Sequence, residues 1–586
     1  MGGIVSVREA ARVTVTEWGG FASSSRSGAK CGGMPVDALM RQLPDRPAPA
    51  GWVFVAPDQL HRSLGAMATA VPGRDGIVLV ESGEWLSRRP YHRMRVTAIL
   101  LAQRHFAVEC AREGFAVLYL RAREPMVEAL RAFAADHGPL RATEWAEREM
   151  RTEFAPLVAQ GLLRVQPHDG WMTAQSDFSR CKRGTQWSMD SFYRAYRTRT
   201  GLLMTEAGDP VGGRFSFDTE NRRPWKGEPP APAPPRFDGS PLRDEVAATI
   251  ASEFDQHPGA LDLAALPGSL EECETLWTWA LRACLRSFGP FEDAMSLKSR
   301  GLFHTRMSPV MNLWRIDARR MVRDVAVLDL PIESKEGFIR QIVGWREFVR
   351  WVHLATDGFR DAWPAVAAPG DAGFKVWKGE PWMPQANAPA GIDGGARPAA
   401  LGPGAPLPPA FWGKPSGLRC LDEVIAGVWQ EGWSHHITRL MVLGNLATLL
   451  DVDARELADW FWVAYMDAWD WVVEPNVLAM ATYAAGGVMT TKPYVAGSAY
   501  IRKMSDFCDG CAFRPDADCP ITPLYWAFLA RHEPRLKSNP RMKLVMAAMR
   551  KRSEALRQRD AATFVHVREV LANGRPLRPD GALPLR

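Results

Sequence analysis

The sequence lacks the long apolar runs and the cysteine spacing that mark membrane-spanning and disulfide-stapled proteins. No window of about 18 uninterrupted apolar residues occurs, so we expect no transmembrane helix. The N-terminal run MGGIVSVREAARVTVTEWGG mixes charges into a short apolar stretch, unlike a secretory signal. The nine cysteines are an odd number and most lie far apart, which argues against a disulfide framework. We therefore expect a cytoplasmic protein in a reducing compartment, with no membrane partner.

Charge and aromatic composition leave several classes of partner open. The net charge of +6 and the pI near 8.8 permit a polyanionic partner such as DNA but do not require one. Tyrosine is scarce, with 9 copies, whereas tryptophan has 23 copies, a residue that usually fills cores or interfaces. A chain of 586 residues is too long for one core of ordinary size, so we expect at least two domains.

The pattern along the chain predicts an α/β domain first. Residues 1–50 are rich in glycine, serine, alanine and proline and are interpreted as an N-terminal extension. From residue 51, the short apolar runs WVFVA, GIVLVE, FAVLYLR and LLRVQP alternate with helical stretches. This alternation favours a parallel, Rossmann-like sheet with crossover helices over residues 51–185. Such a sheet binds ligands at the carboxyl ends of its strands, but no G-x-G-x-x-G follows the first strand.

A connector, a helical domain and an insertion make up the rest of the chain. Residues 186–245 contain the proline-rich run PWKGEPPAPAPPRFDGSP and are predicted to connect two domains. Residues 246–586 are mostly helical in pattern and predict a large all-α domain. The alanine, glycine and proline-rich stretch over residues 365–409 predicts a surface insertion, because a buried loop of that length would leave backbone groups unpaired.

The segment SDFCDGCAFRPDADCP concentrates three cysteines near the C-terminus. Cys508 and Cys511 form a C-x-x-C, and Cys519 lies one short loop further along. Their thiolates could reach one metal centre, and Cys420 is the candidate for a fourth ligand, because the other free cysteines lie in apolar contexts where buried thiols are common. The spacing alone does not separate zinc from an iron–sulfur cluster, nor a metal site from buried thiols or a redox pair.

Several long strings resemble the iron–sulfur branch of the photolyase and cryptochrome family, the bacterial (6-4) photolyases. They are EGFIRQIVGWREFVRW, GWSHHITRLMVLGN, GVMTTKPYVAGSAYIRKMSDFCDGCAF and CPITPLYWAFLARH, and the resemblance spans roughly residues 51–560. It implies an α/β antenna domain and a helical FAD domain with a C-terminal iron–sulfur module, in which a 4Fe-4S cluster is bound by Cys420, Cys508, Cys511 and Cys519. The implied function is light-driven repair of (6-4) pyrimidine–pyrimidone photoproducts in UV-damaged DNA, by electron transfer from reduced FAD. We expect this enzyme to be a monomer.

The resemblance assigns flavin contacts to several stretches. LFHTRMSPVMN resembles a phosphate-cradling turn whose hydroxyls and backbone N–H groups suit the flavin pyrophosphate, although serine or threonine before a helix is usually an N-cap. RQIVGWREF resembles part of the flavin pocket, and an arginine and an aspartate resemble the ion pair beside the isoalloxazine, where a guanidinium stabilises an anionic flavin. The implied cofactor-binding residues are Thr305, Met307, Ser308, Gln341, Trp345, Arg346, Arg439 and Asp467.

The adjacent His435 and His436 are the clearest catalytic candidates. Neighbouring residues on a helix point about 100° apart, so one should face the core or the flavin and the other the substrate cavity. The resemblance makes His436 the acid that protonates the lesion, which suits the near-neutral pKa of histidine, whereas ordinary polar contacts are the expectation without it. Tyr494 and Tyr500 match tyrosines that line the lesion pocket, where a flipped-out base would stack.

Further residues are assigned to DNA binding, to electron transfer and to an antenna. Lys492 and Arg502 could meet backbone phosphates or form a solvated basic face. Trp412 and Trp460 match an electron relay, with core filling as the alternative, and Phe461 replaces a tyrosine that some relatives carry beside it. The stretches APDQL and VLVESGEW resemble strand ends that hold a 6,7-dimethyl-8-ribityllumazine antenna, with the candidate ligands Asp58, Gln59 and Glu81.

Two other functions stay open from the sequence. The same flavin chemistry would serve signalling in a cryptochrome-type blue-light photoreceptor. Three departures from the family pattern keep this alternative open: Val473 stands where some relatives have glutamate, Phe461 stands where some have tyrosine, and the chain carries the insertion. The cysteine segment could also belong to a non-enzymatic metal–cysteine protein that binds nucleic acid. Such a protein would purify without flavin.

Overall fold

A five-stranded parallel sheet forms the first part of the fold, and the computed structural model describes the chain over residues 36–361 and 393–579. The strands are β1 Gly51–Phe54, β2 Asp75–Ser82, β3 Ala116–Ala122, β4 Leu140–Thr143 and β5 Leu163–Gln166. They lie in the order β3-β2-β1-β4-β5, and their pairings are all parallel. The predicted parallel sheet is confirmed. Of the five strands, β4 was not predicted, because its sequence LRAT is short and half polar.

Two crossover helices cover this sheet. Every residue of β2 is buried, as a central parallel strand requires when both faces are covered. Helix Arg93–Arg112 connects β2 to β3, and helix Met126–His137 connects β3 to β4 on the other side of β1. Right-handed crossovers that run in opposite directions place their helices on opposite faces, so these two helices cover the two faces. Helix Arg93–Arg112 is buried along most of its length because helix Pro241–Glu253 also packs against it.

The chain changes direction across the sheet between β1 and β4. β2 and β3 lie on one side of β1, whereas β4 and β5 lie on the other. Sheets of this kind bind ligands in the crevice at the carboxyl ends of the strands, at this switch point. Gln59 follows β1, and its Nε2 donates to the carbonyl oxygens of Thr143, at 3.3 Å, and Glu144, at 2.9 Å, at the end of β4. The stretch that contains Asp58 and Gln59 therefore lies in this crevice.

The remainder of the described chain is mostly helical, as the sequence predicts. Further elements before residue 241 are Asp37–Met40, Gly65–Ala68, Gly83–Ser87, Arg148–Ala159, Gln175–Ser179, Met189–Thr200, and the two-residue strands Lys182–Arg183 and Gln186–Trp187. The later α-helices are Leu270–Trp279, Leu285–Phe291, Ser308–Asn312, Ala318–Val327, Ile332–Ile339, Glu347–Ala355, Arg419–Glu431, Asn445–Leu449, Ala454–Ala464, Asp470–Glu474, Ser498–Met504, Ile521–Leu536, Lys543–Arg550 and Glu554–Ala572. None of the helices in the described chain has the length and apolarity needed to cross a bilayer. The domain boundaries at residues 185 and 245 stay predictions.

Wider helical turns interrupt several of these helices. Turns with π-helical spacing occur at Ala280–Cys284, Arg340–Arg346, Thr438–Gly444 and Pro475–Ala481. Such turns change which side chains share a face of a helix, and they are frequent at functional sites. Two of them, Arg340–Arg346 and Thr438–Gly444, carry residues that the sequence assigns to the flavin.

Two segments that the sequence treats as peripheral are packed where the structure describes them. Leu39, within the predicted extension, is fully buried, and the backbone N–H of Ala38 donates to Glu245 at 2.6 Å. Residues 393–409, at the end of the predicted insertion, are also held in place, since Ala405 exchanges backbone hydrogen bonds of 2.7 Å with Asp451 and Asp453. The backbone groups of these residues therefore find partners in the protein, whereas residues 1–35 of the extension and residues 365–392 of the insertion lie outside the described residues, and the surface insertion stays a prediction.

The segment around Trp469 and Asp470 joins the helical part to the sheet part. Asp470 Oδ2 accepts hydrogen bonds from the backbone N–H groups of Arg148, at 2.6 Å, and Glu149, at 3.2 Å, in the first turn of a helix of the sheet part. The ring of Trp469 stacks on that of Trp85, with 6.1 Å between centroids. A side chain of the helical part thus satisfies the N-terminal donors of a helix in the sheet part.

We expect Asp470→Ala to lower the free energy of unfolding by about 1–3 kcal/mol, because it leaves two N–H groups at a helix start without their acceptor. Urea unfolding of the whole chain measures this change. Asp190→Ala is the control, since Asp190 forms an exposed pair with Arg194 and should matter little. Equal losses of unfolding free energy in the two variants would contradict a stabilising role for the hydrogen bonds between Asp470 and helix Arg148–Ala159.

Candidate functional site

A bidentate ion pair between Arg439 and Asp467 lies at the centre of the candidate flavin site. Arg439 Nη1 donates to Asp467 Oδ1 at 3.0 Å, and Nη2 donates to Oδ2 at 2.8 Å. Ser308 Oγ donates to the same Oδ2 at 2.6 Å, and Asn312 Nδ2 donates to the Asp467 carbonyl oxygen at 2.8 Å. Burial alone would lower the pKa of Arg439, but the carboxylate of Asp467 raises it. Both groups of the pair are therefore charged and fixed in geometry.

The helix Ser308–Asn312 begins without a capping hydrogen bond from the side chain of its N-cap residue. The short helix that begins at Ser308 has Met307 as its N-cap residue, which contributes no side-chain hydrogen bond. The Ser308 hydroxyl bonds Asp467 instead, so the N-cap interpretation is wrong for Ser308. Thr305 and Met307 are buried on either side of Arg306, whose φ of +55° lies in the left-handed region that non-glycine residues rarely adopt.

Arg346 lies among three tryptophans with donors unused. Its guanidinium carbon lies 4.4, 4.9 and 5.2 Å from the ring centroids of Trp171, Trp314 and Trp471. Nε donates to Asn312 Oδ1 at 3.3 Å, whereas Nη1 and Nη2 are buried and meet no acceptor among the described residues. Burial lowers the pKa of Arg346 to about 10, so the group is still a cation at neutral pH. An anionic ligand would satisfy these donors.

The two histidines differ in exposure. His435 is buried, and its ring stacks on that of His304 with 4.5 Å between centroids. Its Nδ1 has no hydrogen-bond partner in residues 36–361 and 393–579. The side chain of His436, by contrast, is 43% exposed. Burial lowers the pKa of the His435 ring well below the ordinary value, and the neighbouring His304 lowers it further, so this ring is neutral at neutral pH.

Two carboxyl groups lie beside His436. Its Nε2 is 3.9 Å from Glu292 Oε1 and 3.9 Å from Asp293 Oδ1. Tyr500 donates its hydroxyl to Asp293 Oδ2 at 3.2 Å, and Gln341 Nε2 donates to Glu292 Oε1 at 2.7 Å. Burial raises the pKa of Glu292 to about 8 and that of Asp293 to about 6. Glu292 and Asp293 thus connect the predicted residues Tyr500 and Gln341 to His436. The sequence analysis missed these two acids, although two adjacent acidic residues in GPFEDAM could have indicated a site.

Four further predicted residues differ in exposure, and the charges of Asp218 and Arg222 act on both Tyr494 and Asp293. Tyr494 and Lys492 are half-buried, and Arg502 is exposed and pairs with Asp516. Trp345 is half-buried, and its ring makes an edge-to-face contact with Phe348 at 6.3 Å. Their assignments to the lesion pocket, to DNA and to the flavin stay predictions.

A basic cavity of about 270 Å³ opens beside His304. Its lining includes Lys298, Arg300 and Arg306, together with Trp279, Glu431, and Pro232 and Pro234 of the connector. Glu431 pairs with Arg300 at 3.0 Å and with Arg306 at 2.8 Å. Because three cations face one acid, the cavity favours anionic groups.

The four cysteines predicted as metal ligands line one small cavity. Burial raises the pKa of the Cys519 thiol to about 12, and burial together with the neighbouring sulfurs raises that of Cys420. The four thiols therefore converge on one cavity, a lining of the kind that binds zinc or an iron–sulfur cluster.

Tryptophans lead from the ion pair toward the surface. The centroid of the buried Trp460 ring lies 6.0 Å from that of Tyr465, and the guanidinium of Arg439 lies over the Tyr465 ring at 4.0 Å. Trp429, which the sequence analysis did not single out, lies 6.1 Å from Trp460 and stacks on Trp412 at 5.6 Å and 22°. The two predicted tryptophans are thus joined through a third.

Of the predicted antenna ligands, Asp58 has unused hydrogen-bonding capacity. It is buried, its Oδ1 meets no donor in the part of the chain that the structure describes, and burial raises its pKa to about 7. Glu81 is also buried, but its carboxylate already accepts hydrogen bonds from Arg104, Arg121 and Tyr119. Asp58 lies in the switch-point crevice, whereas Glu81 lies at the end of β2 with a full set of partners.

Comparison with known proteins gives a consistent picture. Residues 53–265 match the family described as "Deoxyribodipyrimidine photo-lyase-related protein". The chain is 30% identical over 524 residues to the (6-4) photolyase of Agrobacterium fabrum, a match that covers 86% of this chain and 96% of that protein. A stretch of 66 residues is 38% identical to the uncharacterised protein R855 of Acanthamoeba polyphaga mimivirus, over 11% of this chain and 54% of that protein.

Two solved structures also resemble this one. The bacterial class III photolyase from Agrobacterium tumefaciens matches with 14% identity and a TM-score of 0.45, over 90% of this chain and 99% of that one. The cryptochrome of Synechocystis sp. PCC6803 matches with 14% identity and a TM-score of 0.48, over 90% of this chain and 100% of that one. The identity to the Agrobacterium fabrum protein along most of both chains shows that this chain belongs to the photolyase-related family.

Proposed function

We propose that the protein is a light-driven DNA repair enzyme, a (6-4) photolyase that reverses (6-4) pyrimidine–pyrimidone photoproducts in UV-damaged DNA. The relationship to the (6-4) photolyase of Agrobacterium fabrum supports this assignment. The observation that carries it is the position of His436, which is 43% exposed beside two carboxyl groups and lies on the same helical segment as Arg439. A proton donor next to the ion pair of the flavin site is what protonation coupled to electron transfer requires.

FAD would be held by Ser308, Arg346, Arg439 and Asp467. The unused Nη donors of Arg346 and the basic cavity beside His304 suit its negatively charged groups. When bound and reduced, FAD supplies the electron that light drives to the lesion. Arg439 is already fixed by two hydrogen bonds from its Nη atoms to Asp467, so its positive charge stabilises negative charge on the ligand without rearrangement.

His436 would hold the proton that the lesion receives. In the protein alone the ring lies in a pocket close to His304, Arg340 and Arg439, which lower its pKa. An anionic lesion in the pocket would favour the charged form of the ring and raise this pKa. Glu292, 3.9 Å from His436 Nε2, keeps its own proton up to about pH 8 and is a nearby source. The ring therefore gains its proton when the pocket is filled with negative charge.

The raised pKa of Glu292 also limits negative charge where a DNA strand must enter. An ionised carboxylate in this low-dielectric pocket would repel phosphates and an anionic lesion. Tyr494 and Tyr500 are proposed to line the pocket around the extruded base. The partner is then UV-damaged DNA, whose backbone phosphates are proposed to meet Lys492 and Arg502.

We also propose a 4Fe-4S cluster on Cys420, Cys508, Cys511 and Cys519. These four cysteines line one cavity, and four cysteine thiolates are the usual ligands of such a cluster. Metal would replace the protons that burial holds on the thiols. Its role would be structural, because Cys420 opens one helix and the other three lie in the distant segment before helix Ile521–Leu536.

The antenna proposal concerns the switch-point crevice. A 6,7-dimethyl-8-ribityllumazine there would meet the unused Oδ1 of Asp58 and the region around Gln59. Glu81 would keep the end of β2 in place through Arg104 and Arg121. This placement follows the rule for ligand sites in parallel sheets with a switch point.

We expect His436→Ala to lower repair of a (6-4)-containing oligonucleotide under blue light by at least about 100-fold, since a general acid contributes about 10²–10⁴-fold. Flavin content should stay unchanged, and His566→Ala on the C-terminal helix should repair normally. Wild-type protein that binds flavin and repairs nothing would favour the photoreceptor function. Wild-type protein that purifies without flavin would favour the metal–cysteine nucleic-acid binder.

We expect Cys508→Ser to lose its iron and to melt at a lower temperature, because the cluster loses one ligand and the two segments lose their link. Iron and acid-labile sulfide per chain measure the cluster, with about four of each in the wild type. Cys273→Ala, at a buried cysteine of helix Leu270–Trp279, should keep its iron. Stoichiometric zinc in the wild type, or full iron in Cys508→Ser, would contradict the cluster.

We expect Glu292→Gln to gain stability relative to the wild type as pH rises from 4.5 to about 8. Glu292 keeps its proton across this range when folded but loses it when unfolded, so the wild type loses folding stability as pH rises. Glutamine does not titrate, and the difference in unfolding free energy should grow by about 2–4 kcal/mol. Urea midpoints across the window measure it, and a difference independent of pH would refute the raised pKa.

A further inference from the structure

We propose that a band of surface cations binds the backbone phosphates of the duplex that flanks the lesion. The members of this cationic band lie on three segments of the chain and are Lys182, Arg183, Lys492, Lys537, Arg541 and Lys543. Five of them are exposed, and Lys492 is half-buried. The band deepens the proposed function and rests on it, because it needs the lesion pocket to lie at Tyr494.

Two hydrogen bonds hold a hairpin against the loop that carries Lys492. The backbone N–H of Trp187 donates to the carbonyl oxygen of Val488 at 2.8 Å, and Gln186 Nε2 donates to that of Thr490 at 3.3 Å. Both contacts lie within four residues of Lys492 along the loop. The hairpin therefore has a fixed position beside this loop.

Lys182 and Arg183 form the first strand of this hairpin. Lys182 pairs in register with Trp187, and Arg183 pairs with Gln186. Since paired strands lie about 4.8 Å apart, each cation is one strand away from a residue anchored to the loop. Lys182 Nζ lies 4.8 Å from the centroid of the Trp187 ring, a contact that orients the ammonium while the side chain stays exposed.

Asn539 attaches the third segment to the same loop. Its Nδ2 donates to the carbonyl oxygen of Thr491 at 2.9 Å, and its Oδ1 accepts from the backbone N–H of Arg541 at 2.9 Å. Burial raises the pKa of the Tyr494 hydroxyl, whereas the charge of Arg541 acts in the opposite direction. Arg541 therefore lies close enough to the proposed lesion pocket to act on it electrostatically, and the band begins at this pocket.

The cations of the band lack counterions in the protein. None of the six forms an ion pair within residues 36–361 and 393–579. Other exposed arginines of the C-terminal part do, since Arg550 pairs with Glu533 and Arg502 pairs with Asp516. Cations held side by side without counterions repel one another, and an anion between them removes this cost. The band is therefore available to an external anion.

The third segment ends at the start of a helix. Lys543 begins helix Lys543–Arg550, and the N-cap residue Met542 contributes no side-chain hydrogen bond. The positive end of the helix dipole disfavours cations such as Arg541 and Lys543, whereas it favours a phosphate. A phosphate bound here would thus be attracted by two side chains and by the helix.

A DNA strand fits the band better than a single phosphate does. One phosphate cannot contact cations on three segments, whereas a strand carries one phosphate about every 3.4 Å along the duplex axis. Contacts to backbone phosphates position a duplex without reading its sequence. The band would therefore orient DNA around a lesion independently of the flanking bases.

The test measures blue-light repair by the flavin-loaded chain, with a (6-4) lesion in a long duplex and with the bare (6-4) dinucleotide. In the triple variant Lys537→Gln, Arg541→Gln, Lys543→Gln, we expect the KM for the duplex to rise about 10-fold or more at unchanged kcat. The slope of log affinity for the duplex against log salt should become shallower by about 2–3, because each phosphate contact contributes about 0.9. The dinucleotide ends before the band, so its KM should not change.

The control replaces three surface arginines that pair with acids and changes the net charge equally. It carries Arg131→Gln, Arg236→Gln and Arg557→Gln. This variant should repair the duplex with nearly the wild-type KM. Equal KM values in the two triple variants would overturn the proposal, and so would an equal rise in KM for the duplex and the dinucleotide.

If the triple variant of the band folds poorly, Lys182→Gln with Arg183→Gln tests the hairpin end of the band. There the salt slope should become shallower by about 2. An unchanged slope in this double variant would overturn the band. Wild-type protein that repairs neither substrate would instead contradict the proposed function, so the two failures are distinguishable.

Discussion

The ion pair between Arg439 and Asp467 is the interaction on which the arrangement of the helical part depends. A buried pair of charges is tolerated only when further hydrogen bonds satisfy both groups. Here Ser308 and Asn312 supply those bonds to Asp467, and the ring of Tyr465 covers the guanidinium. Three segments distant in sequence are thereby held at one point. Loss of either charge would leave the other buried and unpaired, which is much more costly than loss of a surface ion pair.

The same pair also fixes the position of the two adjacent histidines. Arg439 Nε donates to the carbonyl oxygen of Ser434 at 2.8 Å, directly before His435 and His436. The wide turn Thr438–Gly444 allows one short stretch of helix to present Arg439 to Asp467 and His436 to the opposite acids. The proposed flavin site and the proposed lesion pocket thus share one helical segment. Charge at one of them is felt at the other through short, poorly screened distances.

The features of the fold and of the candidate site that could be predicted from the sequence are those encoded in short, continuous stretches. The histidine pair, the C-x-x-C and the alternating strands are local strings, and they were identified directly. Glu292 can be recognised as a site residue only from its contact with the distant His436. Trp429 can be recognised only from its ring contacts with Trp412 and Trp460. The turns with π-helical spacing cannot be recognised from the spacing of apolar residues, so the directions in which their side chains point could not be predicted.

The segment from Tyr465 to Asp470 contacts the flavin-site arginine at one end and a helix of the sheet part at the other. Asp467 and Asp470 lie three positions apart and are both held by hydrogen bonds to other segments. Energy transfer between two chromophores depends on the mutual orientation of their transition dipoles. A crevice ligand and a flavin would therefore keep a fixed angle set by this short stretch. Substitutions in this stretch other than at Asp467 would change the efficiency of light collection without removing a proposed contact to either chromophore.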